Sequence, residues 1–201
     1  MTKTLFFDIE TAPNMAYVWG QWQQDVIEHA REWYMLCFSY KWEGEKTTHV
    51  VSLEEFDLYS SDPENDFHVV EKLWELLDEA DVVIGHNSDA FDIKKANARF
   101  AYHDLGPTSH YQTVDTLKIA RRHFKFNSNR LGHLGEHLGL GGKEATGGFQ
   151  TWVGCMRGDV KAWGTMKKYA KQDVDLLIDV YERLRPWATT HPNRNVIDAT
   201  S

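Results

Sequence analysis

The sequence predicts an α/β fold in one layered domain, with strands first and then helices alternating with short strands. Two observations carry this. Residues 3–53 hold three β-prone runs and no sustained helical period. From residue 67 onward, amphipathic helical stretches alternate with apolar runs too brief to be helices. At 201 residues the chain is long enough for one domain with a real core, expected over residues 3–187 with a tail from 188 to 201. Its 42% hydrophobic and 13% aromatic content supports a folded globule.

The elements follow in chain order. Residues 3–9 alternate as a strand. Residues 12–32 have no steady period and carry Tyr17, Trp19 and Trp22, so they read as a long, partly ordered excursion. WYMLCFSYKW (33–42) is aromatic and β-prone, GEK (44–46) is a turn signal, and TTHVVSL supplies the third strand of a meander. SSDPEND suits a helix start. In FHVVEKLWELLDEA, Val69, Leu73, Leu76, Leu77 and Ala80 repeat at helical spacing. DVVIGHNSDAFD is a short buried strand running into a loop, and residues 92–103 form a helix. YQTVDTL is a strand and LKIARRHF a helix. NRLGHLGEHLGL is a helix weakened by Gly132 and Gly135. GGKEATGG is a flexible loop. KAWGTMKKYA and QDVDLLIDVYERLRPW close the set, stopped by Pro186, and HPNRNVIDATS is expected to fray.

Composition narrows the function. A net charge of -8 and a pI near 5.6 have the wrong sign for a broad basic surface that coats duplex nucleic acid, although a local groove gripping a few phosphates is compatible. Cys37 and Cys155 lie far apart with no CxxC, which predicts free thiols in a reducing compartment. No apolar run approaches about 18 residues, and the N-terminus lacks a basic-then-apolar signal, so the expectation is a cytoplasmic protein with no membrane partner.

Three places put carboxylates where they are costly. In LFFDIETAP, strand alternation puts Leu5, Phe7 and Ile9 on one face and Phe6, Asp8 and Glu10 on the other. Two carboxylates one step apart repel, so that face is either in water or beside a cation. In the last helix, Leu177, Val180 and Leu184 define an apolar stripe, and steps of four back from Leu177 reach Asp173 and Tyr169. An unpaired carboxylate on that stripe would cost several kcal/mol. Asp175 falls on another face and reads as solvated. In VVIGHNSDAFD, a buried strand delivers His86, Asn87, Phe91 and Asp92 at its carboxyl end, where α/β sheets gather their sites. Asp92 alone is equally a helix N-cap, and Asp89 an Asx-turn residue. Jointly, four carboxylates from three elements point to divalent cations, and oxygen-only ligands favour Mg²⁺ or Mn²⁺. A pair of such ions suits in-line displacement at a phosphodiester.

These motifs resemble those of the DEDD superfamily of 3′–5′ exonucleases. FDIET resembles the first motif. HNSDAFD resembles the second, in the form found in family-B DNA polymerase proofreading domains, and YAKQD resembles the third. Tyr169 stands four residues before Asp173, with Lys168 five before, which matches the Tyr (DEDDy) branch. The resemblance implies a ribonuclease H-like fold with a central mixed five-stranded sheet flanked by helices. It implies that Asp8, Glu10 and Asp173 hold one divalent cation, that Asp8 and Asp92 hold a second, and that Tyr169 orients the attacking water. It further implies that Thr11, His86, Asn87 and Phe91 grip the 3′ end of single-stranded DNA, or of RNA. Phe91 read alone is equally a core residue. Lys94, Lys95, Arg99, Arg121, Arg122, Lys167, Lys168 and Lys171 are phosphate candidates or solvated helix faces. The segment from Ala12 to Glu32 lies outside the motif set and reads either as a flap carrying Trp19 or Trp22 to the substrate, or as a surface loop tucked on the core. With no polymerase palm in the chain, proofreading would occur in trans. A stand-alone nuclease, of phage origin among others, and a subunit docked on a DNA polymerase both remain open.

Two rivals were weighed. HLGEH (133–137) matches the H-x-x-E-H pattern of zinc metallopeptidases, with His133 and His137 as ligands and Glu136 as base. Against it stand two glycines and the absence of a marked third ligand. A non-catalytic module binding single strands or a polymerase is the other rival, and the complete set of four carboxylates and Tyr169 argues against it.

Overall fold

The computed structural model describes residues 2–22, 24–142 and 147–188. Thr4–Thr11 (β1) is the central strand, as its alternation predicts. Met35–Trp42 (β4) pairs antiparallel with it, and His49–Ser52 (β5) pairs antiparallel with β4, which gives the expected meander. On the other edge of β1 lie Val82–Gly85 (β6) and then Gln112–Asp115 (β7), both parallel. The sheet is therefore mixed and five-stranded, in the order β5-β4-β1-β6-β7. The parallel half needs crossovers, and Phe67–Glu79 (α1) and Asp92–Tyr102 (α2) supply them. Thr116–His123 (α3), Leu131–His137 (α4), Phe149–Met156 (α5) and Val160–Leu184 (α6) complete the fold.

Side-chain alternation along β1 divides the core. Leu5, Phe7 and Ile9 pack with Val69, Leu73 and Leu77 of α1. Phe6 faces the other way, edge-on to Tyr181 of α6 with ring centroids 5.5 Å apart. Each fully buried large apolar side chain contributes about 1.5–3 kcal/mol. Asp66, just before α1, is fully buried and its carboxylate is well supplied with donors. It accepts from the Met35 N–H at 2.7 Å and from Arg99 Nε at 2.8 Å, and His103 Nε2 lies 2.7 Å away. That network ties α1 to β4 and α2, and it uses up Arg99, one of the phosphate candidates.

Four local expectations change. The excursion at 12–32 contains a two-stranded antiparallel hairpin, Met15–Tyr17 (β2) with Glu28–Arg31 (β3). It is not tucked on the core: Trp19 is 90% and Trp22 77% exposed. The two closing segments form one helix of 25 residues, because Lys171-Gln172 contains nothing to break it. Asp159 caps its start, accepting from the N–H groups of Lys161 and Ala162 at 2.8 and 3.3 Å. Helix α5 was not expected, although Phe149, Trp152, Val153 and Met156 repeat at helical spacing. Asp92 is the first residue of α2, and its side chain does not serve as the helix cap. The expected tail beyond Ala188 and the middle of the expected loop, 143–146, lie outside the described residues. No described helix is long and apolar enough to cross a membrane.

Candidate active site

The carboxyl-end half of β1 carries Asp8 and Glu10 on one face, opposite Ser39 and Cys37 of β4. Helix α6 crosses that face. The Ser39 hydroxyl donates to the Ala170 carbonyl at 2.7 Å, which pins the helix one turn before Asp173. The stripe through Val174, Leu177, Val180 and Leu184 is buried as expected, and Asp173 is buried with it at 4% exposure. The result is a group in which one ligand oxygen from each of Asp8, Glu10 and Asp173 lies within 4.8 Å of the others. Asp92 lines the same cavity but stands outside this group.

Asp92 is held differently. It is 3% exposed, and its Oδ1 accepts from the Ile9 N–H at 3.2 Å. Burial pushes its carboxyl from the ordinary 3.8 up to about 7, helped by the nearby Asp115 carboxylate and opposed by backbone donors. Asp115 caps α3 through the Leu117 N–H at 2.9 Å and accepts from the Asn87 N–H at 2.8 Å. Asn87 has a φ of 68°, a left-handed conformation that Asn tolerates better than most residues. Tyr169 sits one turn before Asp173 and hydrogen-bonds to it. Burial, then the charges of Asp173 and Glu10, push its phenol well above the usual 10, so it remains an O–H donor at any working pH.

The cavity around these groups has a volume of about 820 Å³. Arg121, Asn129, Arg130 and His133 line the same cavity, so two arginines share it with the carboxylates. Of the expected nucleotide contacts, Asn87 and Phe91 line this cavity, and Phe91 is 41% exposed, which removes the core reading. His86 lines it too, but both ring nitrogens are engaged at 2.9 Å, Nδ1 with the Thr116 hydroxyl and Nε2 with the Asn129 carbonyl. It therefore braces the loop that carries Asn129. Thr11 lies in the adjoining groove. Lys167 pairs with Glu54 at 2.8 Å and leaves the phosphate candidates. Trp19 and Trp22 line neither the cavity nor the groove. His133 and His137 stack with centroids 6.0 Å apart, and no further His, Cys, Asp or Glu joins them in a ligand group among the described residues, which leaves the zinc reading without a site.

Sequence reasoning missed Trp152. Its indole Nε1–H donates to Glu10 Oε2 at 3.1 Å, and its ring meets Tyr169 edge-on at 5.9 Å. It also missed Asp115, although this residue ends a parallel strand by the same logic that drew attention to β6. Arg130 and Asn129 gave no signal beyond lying in a polar loop.

Comparison with known proteins agrees with this geometry. A structural match is the family B DNA polymerase from the hyperthermophilic archaeon Pyrobaculum calidifontis, with a TM-score of 0.67 and 17% identity over 92% of this chain. The match covers 25% of the polymerase chain, so this chain spans about a quarter of its length, and at that identity the likeness is one of fold. No curated protein sequence gives a significant match. Residues 5–185 match the sequence model of the RNase_H superfamily (RNase_H_2), an interval that runs from the first strand to the end of α6 and includes every carboxylate of the site. A mixed five-stranded sheet with flanking helices, acidic residues on its central strand and on its last helix, and a family match along nearly the whole chain lead to one assignment: the chain belongs to the RNase_H superfamily.

Proposed function

We propose that the protein is a metal-dependent 3′–5′ exonuclease of the DEDDy type, acting on the 3′ end of single-stranded DNA, or of RNA, and releasing nucleoside 5′-monophosphates. The observation that carries this reading is the group of Asp8, Glu10 and Asp173, with its ligand oxygens within 4.8 Å of one another, beside Tyr169. On this reading residues 3–187 act as a single exonuclease domain.

The donor set fits hard divalent cations. All the donors are carboxylate oxygens, which suit Mg²⁺ or Mn²⁺ and disfavour zinc. Three carboxylates this close repel one another, and a cation between them offsets the repulsion. Asp8, Glu10 and Asp173 would hold one ion, and Asp8 with Asp92 the second. Bound there, the ions would supply a water nucleophile at neutral pH and stabilise charge on the attacking and leaving oxygens.

The chain's own residues account for the rest. Tyr169, kept protonated, donates its O–H and fixes the direction of attack without acting as a base. Trp152 holds the Glu10 carboxylate in place through its indole N–H. Arg121 and Arg130, which line the same cavity, attract the terminal phosphate. Phe91 offers a partly exposed ring to a base. Water adds to phosphorus, the P–O3′ bond breaks, and the departing 3′ oxygen takes up a proton.

The test is hydrolysis of 5′-labelled single-stranded DNA and RNA with Mg²⁺, Mn²⁺ or EDTA, beside Asp8→Ala. A metal-dependent ladder that shortens from the 3′ end and is missing in the variant is the expected outcome. Full activity in Asp8→Ala would refute the site. Strand binding without shortening under any metal would refute turnover and favour the binding-module alternative. A stable complex with a DNA polymerase would favour proofreading in trans.

A further inference from the structure

Beside the carboxylate cavity runs a groove of about 530 Å³ whose walls are largely aromatic. Trp33, Phe91, Phe149 and Trp152 line it together with Lys95. Phe149 is 62% exposed and belongs to no buried cluster, an unusual position for a large ring on a folded surface. Trp33 is fixed by its backbone N–H, which donates to Asn14 Oδ1 at 2.9 Å.

Lys95 gives the groove its polarity. Its ammonium sits 3.6 Å from the centroid of the Trp33 ring and 5.4 Å from that of Phe91. Burial lowers its pKa, and among the described residues no ion pair engages it. A half-buried cation held between rings, with no carboxylate paired to it among the described residues, is matched to an anion from outside the chain.

The groove is continuous with the site. Phe91 lines both cavities. Trp152 lines the groove and donates to Glu10. Flat aromatic faces interleaved with one cation are what an unpaired strand requires: rings for its bases and an ammonium for its phosphates.

Resting on the exonuclease reading, we propose that this groove is a second subsite, which binds the unpaired DNA strand immediately 5′ of the nucleotide being removed. Phe149 and Trp33 stack on bases there, and Lys95 pairs with a phosphate between them. Trp152 is a positioning residue that joins the subsite to Glu10.

The experiment compares two substrates in Mn²⁺. An oligo(dT) octamer spans the site and the groove, whereas the p-nitrophenyl ester of thymidine 5′-monophosphate offers one nucleotide and a leaving group that carries no base and no further phosphate. Phe149→Ala and Lys95→Ala should each raise KM for the octamer at least about fivefold, the lower end of a single base-stacking contact, and leave ester hydrolysis within about twofold. In Lys95→Ala the salt dependence of octamer KM should also flatten by about 0.7 in its log–log slope, the value of one phosphate contact on a single strand. An unchanged octamer KM overturns the proposal. So does a parallel loss on both substrates, which would mark the residues as structural. If wild type hydrolyses neither substrate, the exonuclease reading fails, and anisotropy of labelled oligo(dT) in EDTA judges the groove alone. Weaker binding by both variants then supports it, and equal binding overturns it.

Discussion

Asp92→Asn should make the metal-free protein more stable while removing its activity. In the folded chain, burial raises the Asp92 carboxyl from 3.8 to about 7. A raised carboxyl pKa means the folded state holds the proton more tightly than the unfolded state. The stability this confers is complete below pH 3.8 and is lost as pH rises through 7. At about 1.4 kcal/mol for each tenfold change in the proton equilibrium, the whole effect is about 4 kcal/mol, and the part lost between pH 5.5 and 8.0 is about 2 kcal/mol. Asn cannot ionise, and its carbonyl oxygen can still accept the Ile9 N–H, so the variant keeps the hydrogen bond and loses the pH dependence. Urea unfolding in EDTA at the two pH values, followed through the eight tryptophans, measures this directly. The stability difference between variant and wild type should grow in the variant's favour by about 2 kcal/mol from pH 5.5 to 8.0. Titrating groups other than Asp115, whose charge acts on Asp92, are common to both proteins and cancel. With Mn²⁺ at pH 8.0 the order should narrow or reverse, because wild type gains stability by binding metal through an intact site. A difference that does not change with pH would refute the buried, ionisable Asp92 on which the proposed second cation position depends.

Three further outcomes are expected. Tyr169→Phe should slow hydrolysis about 10- to 100-fold, less than Asp8→Ala does, because one oriented hydrogen bond is lost and the carboxylates remain; since the phenol titrates well above 10, a wild-type alkaline limb near pH 10 that vanishes in the variant would refute its environment. Gly135→Ala should destabilise the fold by about 1–2 kcal/mol, because the new methyl carbon would stand 2.7 Å from both the Gly141 carbonyl oxygen and a Leu176 methyl, and overpacking there outweighs the better helix propensity; a neutral urea midpoint would contradict the close approach of α4 to α6. Burial pushes the Cys155 thiol from 9.0 up to about 12, and raises Cys37 as well, so at pH 8 the Cys155 thiolate is about a thousandfold scarcer in the folded chain and iodoacetamide should label neither cysteine until urea is added.

What the sequence made legible was governed by local period. Asp8 and Glu10 share a face because a strand alternates. Asp173 and Tyr169 extend a stripe because a helix repeats. Both regularities can be counted along the chain, and the structure places those residues as counted. The contacts that were not legible join distant segments. Trp152 reaches Glu10 across 142 residues, and no local pattern encodes that pairing. The β2–β3 hairpin failed for a different reason. Its strands of three and four residues are exposed on both faces, so they carry no alternation of apolar and polar residues to detect. Gly135 was read as a weakness in a helix, whereas its missing side chain is what lets α4 lie against α6. His86 lines the cavity as part of HNSDAFD, and the sequence could not tell that the protein itself would occupy both ring nitrogens.

On the exonuclease reading, an acidic chain grips a polyanion through few contacts, and that has a measurable consequence. The net charge is -8, so the chain as a whole repels a polyanion and steers it weakly. The cations that line the cavity and the adjoining groove are Arg121 and Arg130 in the first and Lys95 in the second. Of the other phosphate candidates, two are paired within the chain, Arg99 with Asp66 and Lys167 with Glu54. Three phosphate contacts at about 0.7 each predict a log–log slope of strand affinity against salt near −2. Octamer binding in EDTA between about 50 and 300 mM KCl gives the slope, with the metal contribution removed. A slope steeper than about −4 would require roughly six phosphate contacts, more than these walls supply, and would move the strand path to a surface other than this cleft.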